Sequence, residues 1–254
     1  MNPTRADICA VAIAETFRGD GERLCNPIGT TPLIGGRLAK ASFEPDLVLT
    51  DGTASFSAVA FPVGADPEEA RLVEAWNPYP QMFTCLWNGK RHVMMGATQV
   101  DQYGNQNIAC IGEWSQPKAQ LLGFRGAPGN TINHTTSYWV PNHSPKSVVE
   151  RVSVVTGVGW DRAAQLGEAA SRFHEIRRVV TNLCVIDFET PDHRARLRSV
   201  HPGVTPDEAR AATGFELVLE PDTETTRLPT ADELELLDRL DPGGLRHREV
   251  PEPS

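Results

Sequence analysis

The sequence lacks the short motifs that mark several large enzyme classes. Its 254 residues contain no GxGxxG segment, no glycine-rich phosphate loop, no GxSxG segment and no HExxH segment. These absences remove the main sequence support for dinucleotide binding, nucleotide hydrolysis, serine esterase chemistry and zinc proteolysis. A nucleophile must be sought elsewhere, or is absent.

Paired cysteines, long apolar runs and an excess of positive charge are missing as well. The five cysteines are spread out and never form a CxxC pair, which is typical of reduced thiols in the cytoplasm. No run of about 18 apolar residues occurs, and the first residues do not resemble a signal peptide. A net charge of −9 disfavours nucleic acids and anionic membranes as partners. We expect a cytoplasmic protein without a bound metal.

The composition favours a folded α/β protein. Hydrophobic residues make up 40% of the chain and charged residues 22%, which is close to the globular norm. The length suits one large α/β domain, which we predict over residues 1–242, followed by a polar, frayed tail over residues 243–254.

Apolar runs alternate with helical patterns along the chain. Helices are predicted over residues 5–17 behind Thr4, from residue 30, after Thr205 and after Thr230. Strands are predicted over residues 24–28, 47–50, 92–97, 108–111 and 215–219, in the β-branched segment 147–157, and twice within 178–188. This alternation predicts an α/β fold with a largely buried sheet.

The stretch over residues 123–134 carries the densest group of polar side chains beside an apolar run. Glycine N–H groups could face an oxyanion, the guanidinium could hold a carboxylate or phosphate, and the amides and imidazole could bind a carbonyl or move a proton. The candidate residues are Arg125, Gly126, Gly129, Asn130, Asn133 and His134. The alternative is a Gly-Pro turn whose side chains cap their own backbone.

Asp51 is a second candidate, because it follows the predicted strand over residues 47–50 and could act as an acid or base. An Asp before a Gly is also a common turn residue. The arginines between residues 172 and 198 have three possible explanations: a solvated face, a subunit contact or a basic rim for an anion.

Several segments together resemble one known family. These are residues 36–39 and 45–47, the long motif MGATQVDQYGNQN over residues 95–107, and residues 213–217 and 229–234. They resemble the beta subunits of class I coenzyme A transferases of the glutaconate type. The resemblance implies a three-layer α/β/α sandwich with a mostly parallel sheet and a coenzyme A thioester as substrate. It also implies a homologous alpha subunit as partner, in an α2β2 assembly, and no separate cofactor, since coenzyme A belongs to the substrate.

The chain departs from this family at the nucleophile. The family pattern has a glutamate shortly after the Pro-Asp-Leu strand, and its carboxylate attacks the thioester. Here the nearest carboxylate is Asp51, which is one methylene shorter and one residue early. Because a nucleophile misplaced by about 1 Å can lose on the order of a hundredfold in rate, ordinary coenzyme A transfer is disfavoured.

Residues 125–134 resemble a subgroup with the same departure, the actinobacterial transferase-like hydrolases that open the last carbon ring of a steroid-derived coenzyme A thioester during sterol catabolism. The resemblance implies C–C bond hydrolysis of a cyclic β-dicarbonyl. In our hypothesis, Arg125, Asn130 and Asn133 orient the carbonyls of the substrate. The principal base comes from the alpha subunit, and Asp51 and His134 are the alternative bases in this chain. The alternatives are a transferase beta subunit that uses Asp51 and a non-catalytic scaffold subunit.

Overall fold

The computed structural model describes residues 2–50, 55–65 and 72–250. Two compact units emerge, one formed by Met1–Met95 with Arg227–Ser254 and the other by Gly96–Thr226. The single domain predicted over residues 1–242 stays a prediction. No helix in these described ranges is long and apolar enough to cross a membrane.

The first unit contains helices and strands from both ends of the chain. Its helices are α1 (Arg5–Glu15), α2 (Thr30–Ser42), α3 (Tyr79–Trp87), α8 (Ala231–Leu240) and α9 (Leu245–Glu249), the last two numbered in chain order after the helices of the second unit. Its strands are β1 (Leu24–Pro27), β2 (Leu49–Thr50), β3 (Ser55–Ser57), β4 (Val73–Trp76) and β5 (Arg91–Gly96). Strands β1 and β5 pair in parallel, whereas β2, β3 and β4 form a small antiparallel sheet.

Helices α1 and α2 pack closely because a glycine lies at their contact. A Cβ atom on Gly35 would lie 2.5 Å from Ile13 Cγ2 and 2.9 Å from the carbonyl oxygen of Ala10. Only a residue without a side chain allows this approach. Helix α1 begins as the sequence predicts, with Thr4 and Asp7 forming a reciprocal capping box.

The C-terminal segment is anchored, so the frayed tail predicted after Asp241 is wrong for α9. Arg246 is buried and donates to Asp7 at 2.8 Å, to Asp238 at 2.7 Å and to Asp241 at 3.1 Å. The physical reason is that one buried cation satisfies a carboxylate from α1 and two from the end of α8, which composition alone does not reveal.

Helix α9 also caps helix α2. The Glu249 carboxylate accepts from the backbone N–H of Thr31 at 2.9 Å and from its hydroxyl at 2.5 Å. A carboxylate is stabilising at this end because the first N–H groups of a helix have no partner within the helix. The last helix of the chain thereby holds the start of α2.

The second unit is built around longer strands. Its strands are β6 (Gln99–Val100), β7 (Gln106–Asn107), β8 (Cys110–Ile111), β9 (Ala119–Gln120), β10 (Thr135–Val140), β11 (Glu175–Thr181), β12 (Cys184–Asp187), β13 (Arg196–Val200) and β14 (Glu224–Thr225). Its helices are α4 (Ala127–Asn133), α5 (Trp160–Ala163), α6 (Glu168–Ser171) and α7 (Pro206–Ala211), with a 3₁₀ turn at Ala164–Leu166. Strand β10 is buried along its whole length.

Strand directions within this unit are mixed. Strands β10 and β11 are parallel, β11, β12 and β13 are antiparallel neighbours, and β13 and β14 are parallel. With the parallel β1–β5 pair, parallel pairings outnumber antiparallel ones among these strands. The predicted α/β class with a mostly parallel sheet is confirmed.

Three segments differ from the predictions. Residues 147–157 make isolated bridges to β6 and β7, because those strands are only two residues long and offer no longer ladder. Residues 215–219 make one parallel bridge, from Val218 to Arg196, while β14 pairs with Ser199 and Val200 further along β13. Residues 127–133 form helix α4 instead of the alternative Gly-Pro turn.

Candidate active site

A small cavity lies in the first unit where β1 and β2 end. Its volume is about 210 Å³. Its apolar wall consists of Pro27, Leu33, Leu49 and Phe61, with the Cys25 thiol, and its polar lining consists of Asn26, Thr50 and Arg37. Thr50 is the residue before Asp51, which itself lies outside the described residues. The carboxyl ends of strands are where α/β proteins commonly bind ligands.

Arg37 reaches this cavity from the middle of α2. The residue is 7% exposed, its Nη1 donates to the carbonyl oxygen of Phe61 at 2.8 Å, and its guanidinium lies 4.0 Å from the centre of the Phe61 ring. Burial lowers the pKa of Arg37 to about 10. The group therefore remains a cation at neutral pH.

A second buried arginine orients an amide at the same cavity. Arg91 Nη2 donates to the Oδ1 atom of Asn26. Because a guanidinium only donates, this bond fixes which end of the Asn26 amide is the oxygen and leaves the Nδ2 group as a donor. Burial lowers the pKa of Arg91 to about 10 as well.

The predicted polar stretch lies in the second unit, and its two ends differ in exposure. Arg125 is exposed and has a φ of 52°, in the left-handed region, and Gly126 is also exposed. Helix α4 follows directly, with Gly126 at its N-cap position and a proline in its first turn. Asn130 and His134 are buried. A ligand in solvent therefore meets Arg125 first.

The side chains of α4 meet in pairs four residues apart. The Asn130 amide lies beside Gly126, whose Cβ would lie 3.7 Å from Asn130 Nδ2. Asn133 Nδ2 donates to the carbonyl oxygen of Gly129 at 2.8 Å, so part of its amide is used within the helix. His134 Nδ1 lies 3.0 Å from the carbonyl oxygen of Thr135. A Cβ at Gly126 would make ordinary van der Waals contact, so packing does not require a glycine there, and the role of the glycine N–H groups as oxyanion donors stays a prediction.

Helix α4 is held rigidly by Thr131. Its hydroxyl accepts from the backbone N–H of Val158 at 2.9 Å, and its carbonyl oxygen lies 2.6 Å from His174 Nδ1. Because a carbonyl only accepts, His174 carries its proton on Nδ1. Burial is the main cause that lowers the pKa of His174, which favours this neutral form.

The long motif over residues 95–107 forms a buried scaffold. Asp101 accepts from the backbone N–H groups of Tyr103 and Asn105, both at 3.1 Å, and so shapes its own turn. Asn105 Nδ2 also donates to Asp161 at 2.9 Å, and its oxygen accepts from Gly159 at 2.8 Å. Burial is the main cause that raises the pKa of Asp101.

Sequence reasoning missed the cavity residues Asn26 and Arg91 and used Arg37 only as part of a family motif. The available signal was a single arginine within the apolar segment over residues 33–39. A cation at such a position is rarely buried without a reason.

The comparisons with known proteins agree with this architecture. The coenzyme A transferase family matches residues 83–212. The chain is 49% identical to the cholesterol ring-cleaving hydrolase IpdB subunit of Mycobacterium tuberculosis, over 97% of this chain and 98% of that protein. It is 48% identical to the IpdB subunit of Rhodococcus jostii, over 97% and 96% of the two chains.

A solved structure extends the likeness to three dimensions. The crystal structure of Rhodococcus jostii RHA1 IpdAB matches with a TM-score of 0.91 and 47% identity, covering 98% of this chain and 99% of that chain. The predicted resemblance is confirmed, and the chain belongs to the coenzyme A transferase family.

Proposed function

We propose that this chain is the beta subunit of a heteromeric hydrolase that opens a carbon ring in a steroid-derived coenzyme A thioester during cholesterol catabolism. The observation that carries the proposal is the full-length likeness, at 49% identity, to subunits named as parts of a cholesterol ring-cleaving hydrolase. A second support is the departure at Asp51, which is one methylene shorter than the glutamate of the transferase pattern and lies one residue before its position. The reaction is C–C bond hydrolysis of a cyclic β-dicarbonyl unit.

The chemistry needs an activated water and donors for two developing charges. Water adds to a ring ketone, the ring C–C bond breaks, the attacked carbon becomes a carboxylate, and the departing carbon leaves as an enolate that takes up a proton. Arg125 can hold an oxyanion because it is exposed, and Asn130 and Asn133 follow it on α4. Coenzyme A enters as part of the substrate, without a separate cofactor.

The principal base comes from the partner subunit in this proposal. His134 is fully buried with Nδ1 near a backbone carbonyl, which suits a supporting role better than repeated proton exchange with solvent. Asp51 remains the other candidate from this chain. An isolated beta chain that turned over substrate at the full rate would contradict the shared site.

The partner is a homologous alpha subunit, in an α2β2 assembly. Strand β4 is exposed at every residue, and helix α3, with the sequence YPQMFTCLW, has no buried residue. Trp76 is 74% exposed and Trp87 is 63% exposed. Because soluble monomers rarely expose aromatic residues in such a contiguous segment, we assign β4 and α3 to the contact with the alpha subunit. A cytoplasmic location fits, since the described cysteines form no disulfide.

The test of the reaction is turnover of a cyclic β-diketone acyl-coenzyme A by the co-expressed subunits in oxygen-18 water, with acetate as an alternative acceptor. The expected product is a ring-opened thioester that keeps its coenzyme A and carries the label in a new carboxylate. Formation of acetyl-coenzyme A would instead support the transferase and point to Asp51, where an aspartyl thioester could be trapped.

The test of the partner contact is Trp76→Ser combined with Trp87→Ser. We expect the double variant to remain folded and to lose at least tenfold in affinity for the alpha subunit, because aromatic side chains dominate interface energies. Trp114→Ser is the matched control, since Trp114 is 59% exposed in the second unit. Equal affinity of both variants would remove β4 and α3 from the interface.

A further inference from the structure

The cavity at the ends of β1 and β2 contains a buried cation, Arg37, that has no counter-ion within residues 2–50, 55–65 and 72–250. Among the described residues, no carboxylate pairs with Arg37, and its described contacts are the Phe61 carbonyl oxygen and the Phe61 ring. Burying a charged group costs several kcal/mol unless it is paired, so such a group requires a compensating partner. The described part of the chain supplies only neutral partners, the carbonyl oxygen and the ring of Phe61.

The cavity offers that cation to a ligand. Arg37 and Asn26 both line it, and Asn26 keeps Nδ2 as a donor because its oxygen accepts from Arg91. Among the residues that the structure describes, no Asp or Glu lines the cavity, and burial raises the pKa of the Cys25 thiol well above its usual range, so that the thiol stays neutral. The charge and the donors together favour an anion with two acceptor oxygens.

The volume limits what can bind. A cavity of about 210 Å³ is several times the ~30 Å³ that one water occupies in the liquid. It is smaller than the roughly 300–1,000 Å³ typical of a pocket that encloses a whole ligand. The cavity therefore suits one arm of a substrate, with aliphatic carbons against Pro27, Leu33 and Leu49 and an anionic end at Arg37.

We propose that Arg37 and Asn26 form a carboxylate-binding subsite that takes a short aliphatic carboxylate arm of the acyl substrate. This inference rests on the proposed function for the identity of the substrate, but not for the binding itself. The carboxylate is either already present on the ring or is the one that hydrolysis creates. Arg37 is then a specificity-determining residue.

The first experiment measures binding without turnover, by calorimetric titration of glutarate into the assembled complex. Glutarate is expected to bind the wild-type protein, whereas neutral glutaramide is not. Arg37→Gln should weaken glutarate binding by at least tenfold, and Arg37→Lys, which keeps the charge, should retain most of it. Arg210→Gln is the matched control, because Arg210 is an exposed arginine paired with Asp207 in the second unit.

Arg37→Gln could fail to fold, so a second variant keeps the cation in place. Leu33→Phe narrows the cavity and should also abolish glutarate binding. Equal affinity of wild-type, Arg37→Gln and Leu33→Phe proteins for glutarate, or equal binding of glutaramide, would overturn the subsite. Because these titrations need no turnover, they test the subsite even if the ring-opening assay fails.

Kinetics distinguish the two sources of the carboxylate. If the arm is present on the substrate, Arg37→Gln should raise KM at least tenfold for the carboxylate substrate and little for its methyl ester. If hydrolysis creates the carboxylate, the two substrates should respond alike, and product inhibition should weaken instead. A variant that leaves both KM values and product inhibition unchanged contradicts the proposal.

Discussion

Two arginines in the first unit are almost equally buried and have opposite surroundings. Arg246 is 3% exposed and contacts three carboxylates, whereas Arg37 is 7% exposed and contacts a carbonyl oxygen and an aromatic ring. Burial alone would lower the pKa of Arg246, but its bonds to Asp7 and Asp238 raise it. At Arg37 burial acts unopposed. The first arginine joins helices, and the second is available to a ligand.

The largest expected effect comes from breaking the paired arginine. Arg246→Gln should lower the free energy of unfolding by about 3 to 5 kcal/mol, because it leaves buried carboxylates without a cation. Denaturant titration of the complex measures this loss. Arg210→Gln, at an exposed pair, should change stability by less than about 0.5 kcal/mol and serves as control. Similar losses in the two variants would show that Arg246 is not a structural link.

A hydrogen-bonded network around Asn105 in the second unit gives an intermediate case. Asn105→Ala should cost about 2 to 3 kcal/mol, since Asp101 and Asp161 lose a shared donor and Gly159 loses its acceptor. Gln102→Ala in the same turn is the control, because its amide makes only a 3.5 Å contact to Glu150. Equal melting temperatures for both variants would contradict the scaffold role of the motif.

A buried histidine extends the comparison to a group that burial keeps in its neutral form. His143 lies 3.0 Å from the hydroxyls of both Thr181 and Thr213, and burial lowers its pKa from 6.5 to about 4. As the pH falls, His143 therefore binds a proton in the unfolded chain before it does so in the folded protein. Stability should be complete above pH 6.5 and fall by on the order of 2 to 3 kcal/mol as the pH drops towards 4.

Denaturation across that pH range checks the histidine. His143→Asn should flatten this part of the profile, while His247→Asn, at an exposed histidine, should keep it. If the His143→Asn variant lost stability at low pH as the wild-type protein does, the acid sensitivity would belong to other groups.

The smallest expected stability change belongs to the unpaired arginine. Arg37→Gln removes a desolvated charge but also its stacking on Phe61, and these effects oppose each other. We expect a net change within about 1 kcal/mol, in the same denaturant assay as Arg246→Gln. A loss as large as that of Arg246→Gln would mean that both arginines are structural.

Local signals in the sequence predicted much of the fold. Thr4 and Thr205 precede the predicted helices and form capping boxes, and the two strands predicted within residues 178–188 are β11 and β12. These succeed because caps and apolar runs act within a few residues. The strand predicted at residues 215–219 failed because pairing depends on which neighbouring edge is available.

The candidate site was less accessible to such reasoning. Arg125 is exposed as a ligand contact requires, but the burial of Asn130 and His134 depends on the packing of α4. Arg37 and Asn26 are 11 positions apart in the sequence, and nothing local indicates that they share a cavity. The family resemblance predicted the chemistry, whereas the anionic subsite required the three-dimensional arrangement.

The link between Asp7 and Arg246 also has a consequence for synthesis. These residues are 239 positions apart, and a ribosome adds roughly 5 to 20 residues per second. Helix α1 is therefore synthesised many seconds before Arg246, the buried partner of Asp7. By the time Arg246 is added, all of Gly96–Thr226 has been made. The second unit can fold first, and the first unit must wait for the final residues of its own chain.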